Sequence, residues 1–159
     1  VLFNQLFFYY KFNLLYDKMI WPGTKGCKKG KLESLSWLRN IKLKKYPFWR
    51  LDTLFSNTKY IDINIIKDGG WHFTNLKSPE EMYDKFMNFG HHDEFRLSGI
   101  TIEKIREKII NKEMIYDHFA DKSSTNKWES NYKLKLADEK ILPSYLINNK
   151  DKFSEWFSN

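Results

Sequence analysis

Two short clusters hold the residue types most able to do chemistry. The first is Asp68-Gly69-Gly70-Trp71-His72-Phe73-Thr74, the second His91-His92-Asp93-Glu94. Carboxylates beside imidazoles can take a proton from a hydroxyl nucleophile, and histidine titrates near neutral pH. Paired glycines let the backbone turn or approach a ligand closely. An indole gives a flat apolar face on which a sugar ring or a base can stack. Each feature also has a plain structural reading: a solvated His-Asp-Glu loop, a hydrogen-bonded histidine, and Trp71 and Phe73 in the core. A zinc site from His72, His91 and His92 is poorly supported, because adjacent histidines rarely face one centre. Arg39 and Arg50 are the guanidinium candidates for a diphosphate, against the plainer reading of surface salt bridges.

These clusters need elements to position them. Tyr60-Ile61-Asp62-Ile63-Asn64-Ile65-Ile66 alternates isoleucines with polar groups, the pattern of a strand, and Asp68-Gly69 is a tight-turn signal after it. Ser78-Pro79-Glu80-Glu81 opens a helix: Ser78 caps it, Pro79 takes the first helical position and Glu81 completes a capping box. Met82, Phe86 and Phe89 form its core face, and Gly90 is expected to close it with a left-handed C-cap. His91-His92-Asp93-Glu94 would then lie in a loop made adjustable by Gly90 and Gly99. Thr101 starts a further helix with Ile102, Ile105 and Ile109 inward.

Upstream, Val1 to Tyr16 reads as a central strand buried on both faces through Leu6-Phe7-Phe8-Tyr9-Tyr10, with few neighbours available in these residues. Trp21 to Gly30 reads as a turn-rich loop, and Lys31 to Asn40 as a helix. Lys42, Lys44 and Lys45 precede Tyr46-Pro47-Phe48-Trp49-Arg50, basic residues interleaved with aromatics. Tyr116 to Tyr132 reads as irregular, and Phe153, Trp156 and Phe157 as the apolar face of a closing helix. No internal repeat is visible.

The chain has 159 residues, a length that fits one domain or one piece of a larger one. A 42% hydrophobic share with 18% aromatics supports a packed core and excludes disorder as the main state. The net charge of +7 would suit anionic partners, although the lysines are scattered. One cysteine, Cys27, excludes an internal disulfide and a cysteine-rich zinc site. No stretch approaches the ~20 apolar residues of a membrane span.

Gly70-Trp71-His72-Phe73, followed one helix later by His92-Asp93-Glu94, resembles the Gly-Trp-His-Phe and His-x-Glu pattern of glycosyltransferase family seventeen. That is the family of β-1,4-mannosyl-glycoprotein β-1,4-N-acetylglucosaminyltransferases. Phe8-Tyr9-Tyr10 with Asn13, Trp21-Pro22-Gly23-Thr24, and Leu142-Pro143-Ser144-Tyr145-Leu146 with Asn148 or Asn149 resemble its flanking segments, in the same order. The resemblance covers nearly the whole chain.

It implies an α/β fold, the C-terminal part of a GT-A-like (Rossmann-like) domain with a mixed sheet and flanking helices. Residues 1–159 would be a single incomplete domain, the acceptor-side half. The Asp-x-Asp motif that holds metal and diphosphate is expected upstream of these residues. The implied donor is UDP-N-acetylglucosamine, and the implied acceptor a mannose of an N-linked-type glycan or glycoprotein. Glu94 would be the base, with Asp93 second and His92 orienting it or acting itself. Trp71, Gly70, Trp21 and Arg50 would lie on the substrate side. His72 would complete the shell of a divalent metal, manganese by ligand preference. A eukaryotic member would sit in the Golgi membrane, a bacterial or viral one in the cytoplasm or at a membrane. Two other classes compete: a non-catalytic carbohydrate-binding fragment, and a basic nucleic-acid-associated domain, for which no reading motif is present.

Overall fold

The computed structural model describes residues 1–90, 92–120, 127–128 and 130–159. In chain order the elements are β1 (Leu2–Tyr9), β2 (Leu14–Leu15), β3 (Trp21–Lys25), α1 (Leu35–Asn40), β4 (Ile65–Ile66), β5 (Trp71–Thr74), α2 (Pro79–Met87), α3 (His92–Leu97), α4 (Ile102–Ile110), β6 (Lys135–Leu136) and α5 (Ser144–Asn148). Short 3-10 turns lie between several of them. The architecture is mixed α/β, with mostly antiparallel strand pairing and flanking helices. The chain packs as two compact units, Val1–Leu6 with Met19–His72, and Phe7–Lys18 with Phe73–Asn159.

In the first unit, β1 pairs antiparallel with β3 through Leu2 with Lys25, Phe3 with Thr24 and Gln5 with Trp21. It pairs in parallel with β4 through Leu2 with Ile65 and Phe3 with Ile66. Trp21–Lys25 is therefore a strand and not part of a loop. Pro22 falls where the register shifts, on the outermost strand, so its missing N–H removes no ladder bond. The strand expected over Tyr60 to Ile66 is confined to its last two residues. Earlier backbone groups are engaged elsewhere: the carbonyls of Thr58 and Tyr60 accept from Lys42 and Tyr46. The alternation still does its packing work, since Ile63 joins Leu2 and Ile41 in a buried cluster covered by Trp37, Leu38 and Tyr60.

The helix expected from Lys31 starts later, at Leu35. The Ser34 hydroxyl accepts from the Trp37 N–H at 2.9 Å and fixes the start there.

In the second unit, the last residues of β1 and the hairpin after it meet their neighbours, Phe8 opposite Leu15 and Leu14 opposite Leu136. β1 thus finds partners within these residues, contrary to the expectation that few were available. Phe7, Phe8, Tyr10, Leu14, Met82, Phe95, Ile105, Met114 and Ile115 are almost wholly buried. Phe73 packs on Phe8 and Phe12 with ring centroids 5.1 and 5.3 Å away, a core role.

The capping box of α2 forms as expected. Ser78 Oγ accepts from the Glu81 N–H at 3.2 Å, and Glu81 Oε2 accepts from the Ser78 N–H at 3.0 Å. The helix closes earlier than Gly90, because Asn88 caps it: its backbone and side-chain amides both donate to the Asp84 carbonyl. Phe89 is consequently half-exposed and not core, and Gly90 has no left-handed conformation. Thr101 caps α4, accepting from the Lys104 N–H at 3.3 Å, and α2 packs on both α3 and α4. The chain closes with α5 and a 3-10 turn over Asp151–Trp156, where one helix was expected. Trp128 and Lys127, in the stretch expected to be irregular, are buried; residues 121–126 and 129 of it lie outside the described residues.

Candidate functional site

The Asp68-Gly69-Gly70 turn is demanded residue by residue. Asp68 has a φ of 52° and Gly70 a φ of 125°, the latter open only to glycine in practice. At Gly69 a Cβ would lie 2.9 Å from Phe3 Cβ and 3.1 Å from its Cα, so close packing against β1 excludes any side chain. The Gly69 N–H donates to the Asn4 carbonyl at 2.7 Å, and the Leu6 N–H to the Gly70 carbonyl at 3.0 Å. These bonds fix the start of β5.

Successive side chains of a strand leave on opposite faces. On one face His72 stacks on the Trp21 indole, with centroids 4.3 Å apart and planes 12° from parallel. On the other, Trp71 is 41% exposed at the head of the strand. The two sequence segments that resembled the family here, Trp21-Pro22-Gly23 and Gly70-Trp71-His72, therefore touch. Trp71 is not among the residues lining the first unit's cavity of about 450 Å³, whose polar walls include Lys25, Lys31, Glu33 and Asp62.

Arg50 is held in a fork by Asp52, with Nε and Nη2 each 2.7 Å from a carboxylate oxygen. Lys59 joins them at 2.6 Å. The Arg50 bonds, then those of Lys59, hold the Asp52 carboxyl well below the usual carboxylate range. Arg50 thus forms the surface salt bridge that was its plainer reading.

In the second unit, His92, Asp93 and Glu94 are not in a loop but form the first turn of α3. Acidic side chains suit the positive end of a helix. Buried Phe95 anchors the turn, with its ring centroid 5.5 Å from Tyr83, 5.2 Å from Phe86 and 5.0 Å from Trp128. Consecutive helical residues point about 100° apart, so Asp93 and Glu94 diverge. His92 sits between the Phe89 carbonyl at 3.1 Å from Nδ1 and the Asp93 carboxylate at 3.3 Å from Nε2. Glu94 pairs with Lys127, whose side chain is buried. His91 lies outside the described residues.

Sequence reasoning missed two buried lysines. Lys108 donates to Glu113 at 3.1 Å, the Ser130 carbonyl at 2.7 Å and Asn131 at 2.9 Å. Its position on α4, three residues from buried Ile105, places a lysine on an apolar stripe, which was a readable signal. Lys127 sits in a stretch without periodicity and gave none.

His72 was expected to complete the shell of a divalent metal held mainly by an upstream Asp-x-Asp motif. Among the described residues, no three of His, Cys, Asp and Glu stand together as a metal shell. The other ligands of such a shell are expected upstream of these residues. No family model, no curated protein and no solved structure matches the chain.

Proposed function

We propose that this chain is part of an inverting glycosyltransferase with a GT-A-like fold. By its resemblance it moves N-acetylglucosamine from UDP-N-acetylglucosamine to a mannose of an N-linked-type glycan, in β-1,4 linkage. The observation that carries the reading is the stack of His72 on Trp21 behind an exposed Trp71. Two of the segments that resemble the family, Trp21-Pro22-Gly23 and Gly70-Trp71-His72, touch, and the clamp on one face of β5 leaves an indole displayed on the other.

In the reaction, the acceptor hydroxyl oxygen attacks the anomeric carbon. The bond from that carbon to the diphosphate breaks, its electron pair leaves with UDP, and the hydroxyl proton passes to a carboxylate. Trp71 would orient a sugar ring by stacking. Glu94 is the first choice as base, held in place by its ion pair with Lys127, and Asp93, its carboxylate largely exposed, is the second. The non-catalytic carbohydrate-binding reading has one observation in its favour, the engagement of Glu94 in that ion pair.

The test is UDP release from UDP-N-acetylglucosamine with a panel of mannosides, using the gene product expressed from its whole reading frame. Turnover lost in Glu94→Gln and kept in Asp93→Asn supports the reading with Glu94 as base; the reverse pattern moves the role to Asp93. Absence of turnover and of donor binding in a folded protein refutes the transferase.

A further inference from the structure

The segment from Lys42 to Lys59 turns most of its large apolar side chains to solvent while its charged groups pair at the surface. Its polar groups turn toward one another: Asp52 holds Arg50 and Lys59, and buried Thr53 donates to the Arg50 carbonyl at 2.7 Å. The buried Tyr46 ring carries Lys44, Arg50 and Lys59 over it, 5.2, 5.7 and 5.9 Å from its centroid. Backbone bonds from Arg50 to Pro47, Thr53 to Arg50 and Leu54 to Leu51 wind it into consecutive tight turns. The large apolar side chains go outward instead. Phe55 is 91% exposed, Phe48 79%, Leu54 72%, Leu51 71% and Trp49 69%. Residues of these types are normally inside, and a contiguous apolar patch marks a contact surface.

The charges beside the patch choose its partner. Lys42, Lys44 and Lys45 flank it, and Asp52, the one acid of the segment, is already neutralised by Arg50 and Lys59. Leucines beside a tryptophan and two phenylalanines suit acyl chains rather than bases, which need flat faces throughout.

We propose that this segment docks on an anionic lipid bilayer. Trp49, Phe48, Phe55 and the leucines enter the boundary between headgroups and acyl chains, and Lys42, Lys44 and Lys45 meet the lipid phosphates. The hydrogen-bonded turns hold the apolar side chains in place beforehand, so little ordering opposes insertion.

The test is cosedimentation of the full chain with vesicles of phosphatidylcholine alone and of phosphatidylcholine with 30 mol% phosphatidylserine. Binding to the anionic vesicles is expected, weakened by added salt. Trp49→Ala with Phe55→Ala should lower the partition coefficient at least about tenfold. Lys42→Gln with Lys44→Gln and Lys45→Gln should lower it about a hundredfold on anionic vesicles. The positions are at the surface, and matched thermal unfolding of each variant separates binding from folding. No binding to anionic vesicles at low salt overturns the proposal, as does binding indifferent to both sets of changes. Concentration-dependent dimerisation or RNA binding that the aromatic changes abolish, with no vesicle binding, overturns it in favour of a second copy or a nucleic acid.

Discussion

Gly23→Ala should destabilise the protein, although the site looks permissive. Gly23 is exposed and has no left-handed backbone. Alanine at such a position would ordinarily stabilise by about 0.5 kcal/mol, by restricting the unfolded chain. Here the Trp21 indole folds back over the glycine, and a Cβ would lie 2.0 Å from Nε1 and 2.7 Å from Cδ1. The indole must leave, and with it the stack on His72 at 4.3 Å. Loss of an aromatic stack costs about 1 kcal/mol, and re-exposure of half an indole about another 1. Against the gain of about 0.5, the net loss is about 1.5 kcal/mol, which in a chain of this size lowers Tm by about 4 °C. Thermal and urea unfolding of wild type, Gly23→Ala, Trp21→Ala and the double variant make a cycle. Gly23→Ala should destabilise when Trp21 is present and be neutral or stabilising when it is absent. The same effect in both backgrounds would refute the clamp.

Other consequences follow from the same geometry. Ser78→Ala should cost about 1 kcal/mol by opening the capping box, and Ser78→Asp should restore most of it, read by urea unfolding. Glu94→Gln should cost about 1–3 kcal/mol by leaving buried Lys127 without its partner, whereas Asp93→Asn should change little. Activity of the Glu94 variant must therefore be read against its folded fraction. The Tyr132 phenol is pushed up to about 12, chiefly by its hydrogen bond to Asp17. Asp17 is in turn held below the carboxylate range, by Lys135 first and Tyr132 next. The raised phenol stabilises the fold below its ordinary value of about 10, and that contribution fades as pH rises through about 12. The depressed carboxyl stabilises above about 4 and is lost as pH falls further. Tyr132→Phe should remove the alkaline loss and reduce the acidic one; an unchanged stability curve against pH would exclude the pairing.

What could be read from the sequence was whatever is decided locally. The cap of α2 formed as expected because all its partners lie within one helical turn, and the Asp68-Gly69-Gly70 turn because its backbone needs are written in its glycines. Where distant partners decide, the reading failed. β3 hides behind a proline that only an outermost strand with a register shift tolerates. α3 starts where a loop was expected because Asn88, not Gly90, closes the helix before it, and because Phe95 finds Tyr83, Phe86 and Trp128. For the site, residue types alone raised Trp71 and His72 as candidates, and resemblance added Trp21. The contact between His72 and Trp21 crosses a long stretch of chain and left no periodic trace. The apolar and basic residues from Lys42 onward were visible as a composition, but that Phe48, Trp49, Leu51, Leu54 and Phe55 face solvent was not.

The proposed transferase requires Trp71, backed by the clamped His72, to be a sugar-binding face. Saturation-transfer NMR of the chain with methyl mannoside and with UDP-N-acetylglucosamine tests it most directly, with Trp71→Ala alongside. Saturation of sugar-ring protons is expected in the wild type, and its loss in a Trp71→Ala protein whose unfolding curve is unchanged. No transfer to either ligand, or equal transfer in both proteins, would contradict it.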